Sequence, residues 1–152
     1  MSGKGDKMKK KTKKTYSLSY PGGVYASEQK QSFARSVVVG NLVFCSGASG
    51  RLLETGFVRT DNATVQTVDA LDKIKVALEE AGTSLENIVK VFVFIKDVEK
   101  DRDAVWLTYW DYLRKHAPSL ADEMPAATCI GGVRLAEPSY LVEIDVIACL
   151  PD

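Results

Sequence analysis

Residues 140–150, "YLVEIDVIACL", carry the period of a strand and an anomaly within it. Side chains along a strand alternate faces. Tyr140, Val142, Ile144, Val146 and Ala148 therefore share one side, and Leu141, Glu143, Asp145, Ile147 and Cys149 the other. The first side is wholly apolar. The second sets two carboxylates among apolar neighbours, where an unpaired charge is costly to bury. Such a strand belongs inside a sheet, and its acids require partners, a wet crevice or a chemical task.

The flanking segments supply the rest of the sheet. Upstream, "MPAATCIGGVRL" reads as a strand able to pair with the last one across a short "AEP" turn region. Gly131-Gly132 inside that pattern marks a bulge or a close backbone approach. "NIVKVFVFIKD" is apolar on both faces, as a central strand covered on both sides would be. Between these two, "DRDAVWLTYWDYLRKH" predicts a helix whose Trp106, Tyr109, Trp110 and Leu113 form an aromatic stripe for packing on a sheet. His116 at its end suits the helix dipole.

Earlier, "DNATVQTVDALDKIKVALEEAG" places Val65, Val68, Leu71, Ile74, Leu78 and Ala81 at spacings of three and four. That is an amphipathic helix with Asp61 or Asn62 as N-cap and Gly82 as C-terminal stop. "ARSVVVGNLVFCSG" reads as two strands joined at Gly40-Asn41, and "YSLSY" can open an edge strand that the following Pro-Gly-Gly stops. The order of strands, helix, strand, helix, strands predicts an α+β fold with both helices on one face of the sheet. Neither a solenoid-period repeat nor a phosphate-binding glycine loop is present in the sequence.

The 152 residues, 45% hydrophobic, suit one domain with a tail. Apolar runs fall short of the roughly 18 residues of a membrane span, and no apolar leader opens the chain, so a cytoplasmic location is expected. Cys45, Cys129 and Cys149 are odd in number, far apart and set in apolar runs, which suits reduced buried thiols. One histidine and no Cys-x-x-Cys leave a metal little to bind, and no cofactor is expected. Net charge is zero, yet residues 1–14 hold seven lysines against Asp6. The remainder carries a formal charge of about −6. The expected division is a disordered lysine-rich tail over 1–14 and a single domain over 15–152. The tail reads mainly as a solubilising extension; as a basic arm for nucleic acid it lacks interleaved aromatics.

From about Ser32 onwards the chain resembles the Rid family, the reactive-intermediate deaminases also called YjgF-type or L-PSP endoribonuclease-like proteins. "VVVGNLVFCSG", "ALEEAG", "NIVKVFVFIKDV", "TYWDYL", "PAATC", "VRL" and "VEIDVIA" carry the resemblance by their order and spacing. It implies a chorismate-mutase-like fold, a homotrimer with an inner barrel, and ligand clefts between subunits. A glutamate at the matching position of the family helps to place an attacking water, which makes Glu143 the catalytic candidate. Asp145 is assigned a structural role. The chemistry implied is hydrolysis of small imines or enamines to a keto compound and ammonia, where a carboxylate beside the water can accept and return a proton.

Departures from the family pattern bear on specificity. The deaminating branch holds the substrate carboxylate with an arginine two residues before the cysteine; here "PAATC" puts Ala127 there, beside Thr128 and Cys129. Phe33 stands where the family has a tyrosine, and Trp106 where an asparagine is usual, so the expected cleft is more apolar. Ser46-Gly47 matches a cleft-lining dipeptide, and Arg35, which leads into it, is the preferred substitute anchor over Arg51 and Arg134. Arg134 is expected to serve an ion pair between subunits. Cys129 is read as a packing or ligand contact, because no nearby cation would make it a thiolate. Three functions follow: a divergent imine or enamine hydrolase of altered specificity, a non-catalytic trimer binding a metabolite or protein, and, least supported, an RNA-associated activity.

Overall fold

The computed structural model describes residues 13–17 and 33–152. The lysines before Lys13, and all of "LSYPGG", lie outside the described residues, whereas Lys13 and Lys14 stand in a strand. The strands are β1 (Lys13–Ser17), β2 (Ala34–Val39), β3 (Leu42–Cys45), β4 (Ala48–Ser49), β5 (Ile88–Ile95), β6 (Ala126–Gly131) and β7 (Val142–Cys149). The helices are α1 (Ala63–Ala81) and α2 (Val98–His116). The sheet runs β1-β2-β3-β7-β5-β6, with the short β4 also paired to β7. Only β5 and β6 are parallel, joined through α2, so the architecture is α+β with a mixed sheet.

Local chemistry explains the boundaries. Asn62 caps α1, its side chain accepting from the Val65 amide, and Gly82 ends the helix at φ 89°. The β2–β3 hairpin turns at Gly40, φ 66°. Asp97 caps α2 by accepting from the Lys100 amide, which starts the helix three residues before the expected "DRD". At its end the exposed His116 ring sits 4.4 Å from that of Tyr112.

Burial confirms the alternation of the last strand. Val142, Ile144, Val146 and Ala148 are buried under the helices, in one core with Val91, Val93, Ile95, Leu71, Ile74, Tyr109 and Leu113. Glu143, Asp145, Ile147 and Cys149 lie on the uncovered face and are only half-buried. No helix of the described residues is long and apolar enough to cross a membrane.

Four expectations need correction. β6 does not pair with β7, because β5 lies between them and bonds to both; the crossover through α2 makes β6 an outer strand. β5 is central but covered on one face only: Phe92 and Phe94 look out from the side that no helix covers. The buried side of α1 is rotated in its first half, with Gln66, Thr67 and Ala70 buried instead of Val65 and Val68. Among the cysteines, all reduced, Cys45 is buried, but Cys129 is exposed and Cys149 half-exposed. The Gly131 expectation holds as a close approach, since a Cβ there would overlap the Val98 side chain where α2 begins.

Candidate active site

Glu143 is placed by two neighbours along the sheet. On one side it pairs with Phe94 of β5, and on the other with Ser49 of β4. The two-residue β4, unrecognised in the sequence, brings the Ser46–Arg51 segment over the start of β7. A Cβ on Gly47 would overlap Glu143 Oε1 and stand 2.9 Å from Cδ, so only glycine admits the carboxylate at this position. Ser46 is turned away, its hydroxyl donating to Ala34 O at 2.6 Å.

Gln66 holds this segment against α1. Its side chain is fully buried, and a Cβ on Gly50 would overlap it. Nε2 donates to Thr60 O at 2.8 Å and Ser139 O at 3.0 Å, while Oε1 accepts the Leu141 amide at 2.9 Å. One amide group thus ties the approach to α1 and the approach to β7 together, fixing Glu143 two residues beyond Leu141. One turn along α1, the buried Asp69 is clamped by Arg59 through contacts of 3.0 and 2.7 Å.

No protein hydrogen bond or salt bridge engages the Glu143 carboxylate among the described residues. Burial first, then the neighbouring charge of Asp145, pushes its carboxyl above the usual range, and Lys73 on α1 pulls it back. Burial likewise raises Asp145. Lys73 is brought down to about 8, by burial foremost and with Arg51 contributing, against the pull of Asp69 and Glu143. The ensemble is a half-buried acid that can take and return a proton, with Asp145 and Lys73 as the charges that act on it.

The other candidate residues divide across the sheet. Thr128 and Ile130 share the Glu143 face through their pairing with Phe92 and Phe94. The Thr128 hydroxyl receives Lys90 Nζ at 2.7 Å. Ala127 and Cys129, paired with Val91 and Val93, belong to the helix side instead and are exposed on the outer strand. β5 therefore separates them from Glu143 within one chain. Trp106 is on the helix side too, stacked with Trp110 at 6.4 Å and edge-on to Tyr109 at 5.4 Å. Phe33 and Arg134 are exposed.

Arg35 is skipped in the β1–β2 register, where Ser17 pairs with Ala34 and Tyr16 with Ser36. This bulge releases its side chain to Glu80 of α1 at 2.7 Å, so the guanidinium is engaged away from Glu143. Arg51 Nε donates to Gly56 O. A cavity of about 190 Å³ lined by Trp110, Leu113, Arg114, Leu120 and Met124 lies between α2 and the segment that follows it and offers no acid–base pair. Among the described residues no group of three histidine, cysteine or acidic side chains is arranged to hold a metal.

Sequence reasoning missed Lys73, Gln66 and Asp69. Their polarity fits the solvent side of an amphipathic helix, and Val65 and Val68 offered an apolar face beside them, so helical spacing gave no signal for these three.

Comparison with known proteins agrees with this architecture. The chain matches the Endoribonuclease L-PSP family over residues 25–150. It is 31% identical over 116 residues to a RutC family protein of Pyrococcus abyssi, covering 76% of this chain and 84% of that one. It is 33% identical over 116 residues to the 2-iminobutanoate/2-iminopropanoate deaminase of Escherichia coli K12, covering 76% and 85%. The crystal structure of E. coli TdcF with bound serine superposes with a TM-score of 0.73 at 25% identity, over 90% of this chain and 98% of that one. The protein belongs to the Rid/YjgF/L-PSP family.

Proposed function

We propose that the protein hydrolyses a small imine or enamine, with Glu143 as the general base, in a crevice completed by a second copy of the chain. The observation that carries this reading is the Glu143 carboxylate itself: half-buried, its carboxyl raised above the usual range by burial, free of protein hydrogen bonds among the described residues, and set against a glycine that leaves it room. Similarity to an iminobutanoate/iminopropanoate deaminase supports the reaction class.

In the proposed step, water oxygen adds to the imine carbon as Glu143 takes a proton from it, and the C=N electron pair moves to nitrogen. The carboxyl returns that proton to nitrogen. Glu143 then takes the hydroxyl proton of the carbinolamine and passes it to the amine, the O–H electron pair forms the carbonyl as the C–N bond breaks, and ammonia leaves.

A trimer is part of the proposal. Phe44, Phe92, Phe94, Ile130 and Ile147 make the uncovered sheet face apolar, with Phe44 and Ile130 each 41% exposed. Such a face is stabilised by burial against other copies. Assembly can also set the Ala127–Cys129 edge of one chain beside the Glu143 of another, which a single chain keeps apart. Ala127 in place of the family's arginine supports altered specificity, towards ligands without a strongly held carboxylate. It equally supports the second reading, a non-catalytic trimer that binds a metabolite or a protein.

Ammonia release from a panel of imines generated in situ, including 2-aminoacrylate, separates the two readings. Glu143→Gln is expected to lower kcat/KM about a hundredfold or more, the usual worth of a positioned base. Equal rates for wild type and variant exclude the catalytic reading. A light-scattering mass of one chain excludes the shared crevice.

A further inference from the structure

The Ser46–Arg51 segment carries two glycines, and each meets a polar side chain from a different element. At Gly47 the neighbour is Glu143 of β7. At Gly50 it is Gln66 of α1, where an added Cβ would stand within 2.7 Å of three side-chain atoms of the glutamine. Between the glycines, Ala48 and Ser49 pair with Ile144 and Glu143. The segment is thus gripped at one end by the candidate base and at the other by a fully buried amide.

The same amide also reaches the strand that bears the base. Gln66 Oε1 accepts the Leu141 amide at 2.9 Å, and Nε2 donates to Ser139 O at 3.0 Å. The Leu141 carbonyl accepts the Lys96 amide at 2.9 Å where β5 ends. Leu141 is therefore pinned through both backbone groups two residues before Glu143. One side chain touches the backbone on both sides of the carboxylate: Gly50, next to the residue that pairs with Glu143, and the entry to β7. Only an amide offers both donors and an acceptor from one planar group of this length.

We infer that Gln66 is a positioning residue for Glu143, holding the Gly47–Gly50 backbone and the start of β7 in the arrangement that sets the carboxylate against Gly47. The inference rests on the reading of Glu143 as the general base. Gln66 does not touch the reacting atoms. It acts through the backbone that flanks them, so its loss is expected to lower kcat and to leave ligand binding in place. Displacing a catalytic group by about 1 Å costs on the order of a hundredfold in rate.

The test is a double-substitution cycle in the full-length protein. Gln66→Met keeps the length of the side chain and its packing on Gly50 and removes the three hydrogen bonds. In variant protein whose circular dichroism and solution mass match the wild type, kcat is expected to fall by about ten- to a hundredfold, with KM within about twofold. In the Glu143→Gln background the same substitution should cost less than about twofold, because a base already removed cannot be misplaced. A merely structural defect would lower both backgrounds alike. Gln66→Glu should recover most of the rate: facing the Thr60 and Ser139 carbonyls its acid is held neutral, so it accepts the Leu141 amide and donates to one carbonyl. Gln66→Asn, an amide too short to reach Leu141, serves if the methionine variant does not fold. Equal losses in the two backgrounds, or an unchanged kcat in the folded variant, overturn the inference and leave the role of Glu143 standing. Unchanged ammonia release in Glu143→Gln overturns that role, and the inference with it.

Discussion

Glu143 Oε1 occupies the space that a side chain on Gly47 would take. A β7 carboxylate and the backbone between β3 and β4 thus share one small volume, so a side chain added at Gly47 must displace the carboxylate.

Gly47→Ala tests that relationship. The added Cβ meets the far end of a flexible side chain, so the fold should survive, while Glu143 must rotate away. Thermal stability is expected within about 1 kcal/mol of wild type, with kcat/KM lowered nearly as far as in Glu143→Gln. Full activity would show that the carboxylate works from another position.

Gln66→Leu keeps the volume and removes all three hydrogen bonds. The Thr60 and Ser139 carbonyls and the Leu141 amide lose their partner. Each unsatisfied buried group costs about 1–3 kcal/mol, and partial access of water brings the expected total to about 2–4 kcal/mol in urea unfolding. A loss below about 1 kcal/mol would mean that the segment repacks.

The raised carboxyls of Glu143 and Asp145 give stability a defined pH dependence. Between the usual carboxylate range and their raised values, the folded state binds more protons than the unfolded one. Stability from these groups is therefore greatest below that window and falls as pH rises through it. Glu143→Gln and Asp145→Asn should each flatten the fall in Tm between pH 4 and 7. A wild-type Tm that climbs steadily over this range, with no flattening in either variant, would contradict the burial of these acids.

Ala127→Arg is expected to tighten binding of pyruvate, a stable keto acid, about tenfold or more, as a charge-assisted anchor would. Calorimetric titration measures it. Since Ala127 and Glu143 lie on opposite faces of one chain, the gain requires the assembled protein, and a variant dissociated to monomers should show none.

Much of the fold was legible because it is written in short-range chemistry. The alternation of β7, the Gly40 turn, the Asn62 and Gly82 caps and the α+β order all follow from residues within a few positions of one another. The β6–β7 pairing was misread because strand order in a mixed sheet depends on where α2 carries the chain, which alternation does not encode. The α1 face was misread in its first half because Gln66 is buried by distant backbone partners that its helical spacing could not announce.

The site divides in the same way. The sequence by itself determined that β7 bears an acid on its second face, and resemblance pointed to Glu143 as the reacting group. Only the tertiary structure decided what surrounds it: Gly47 giving it room, Lys73 drawing its raised carboxyl back down, Arg35 diverted to Glu80 by a bulge, and Ala127 turned to the opposite face. Those relations join residues from 16 to 96 positions apart. Electrostatic and steric effects act through space, so they exist only once the sheet has closed the distance along the chain.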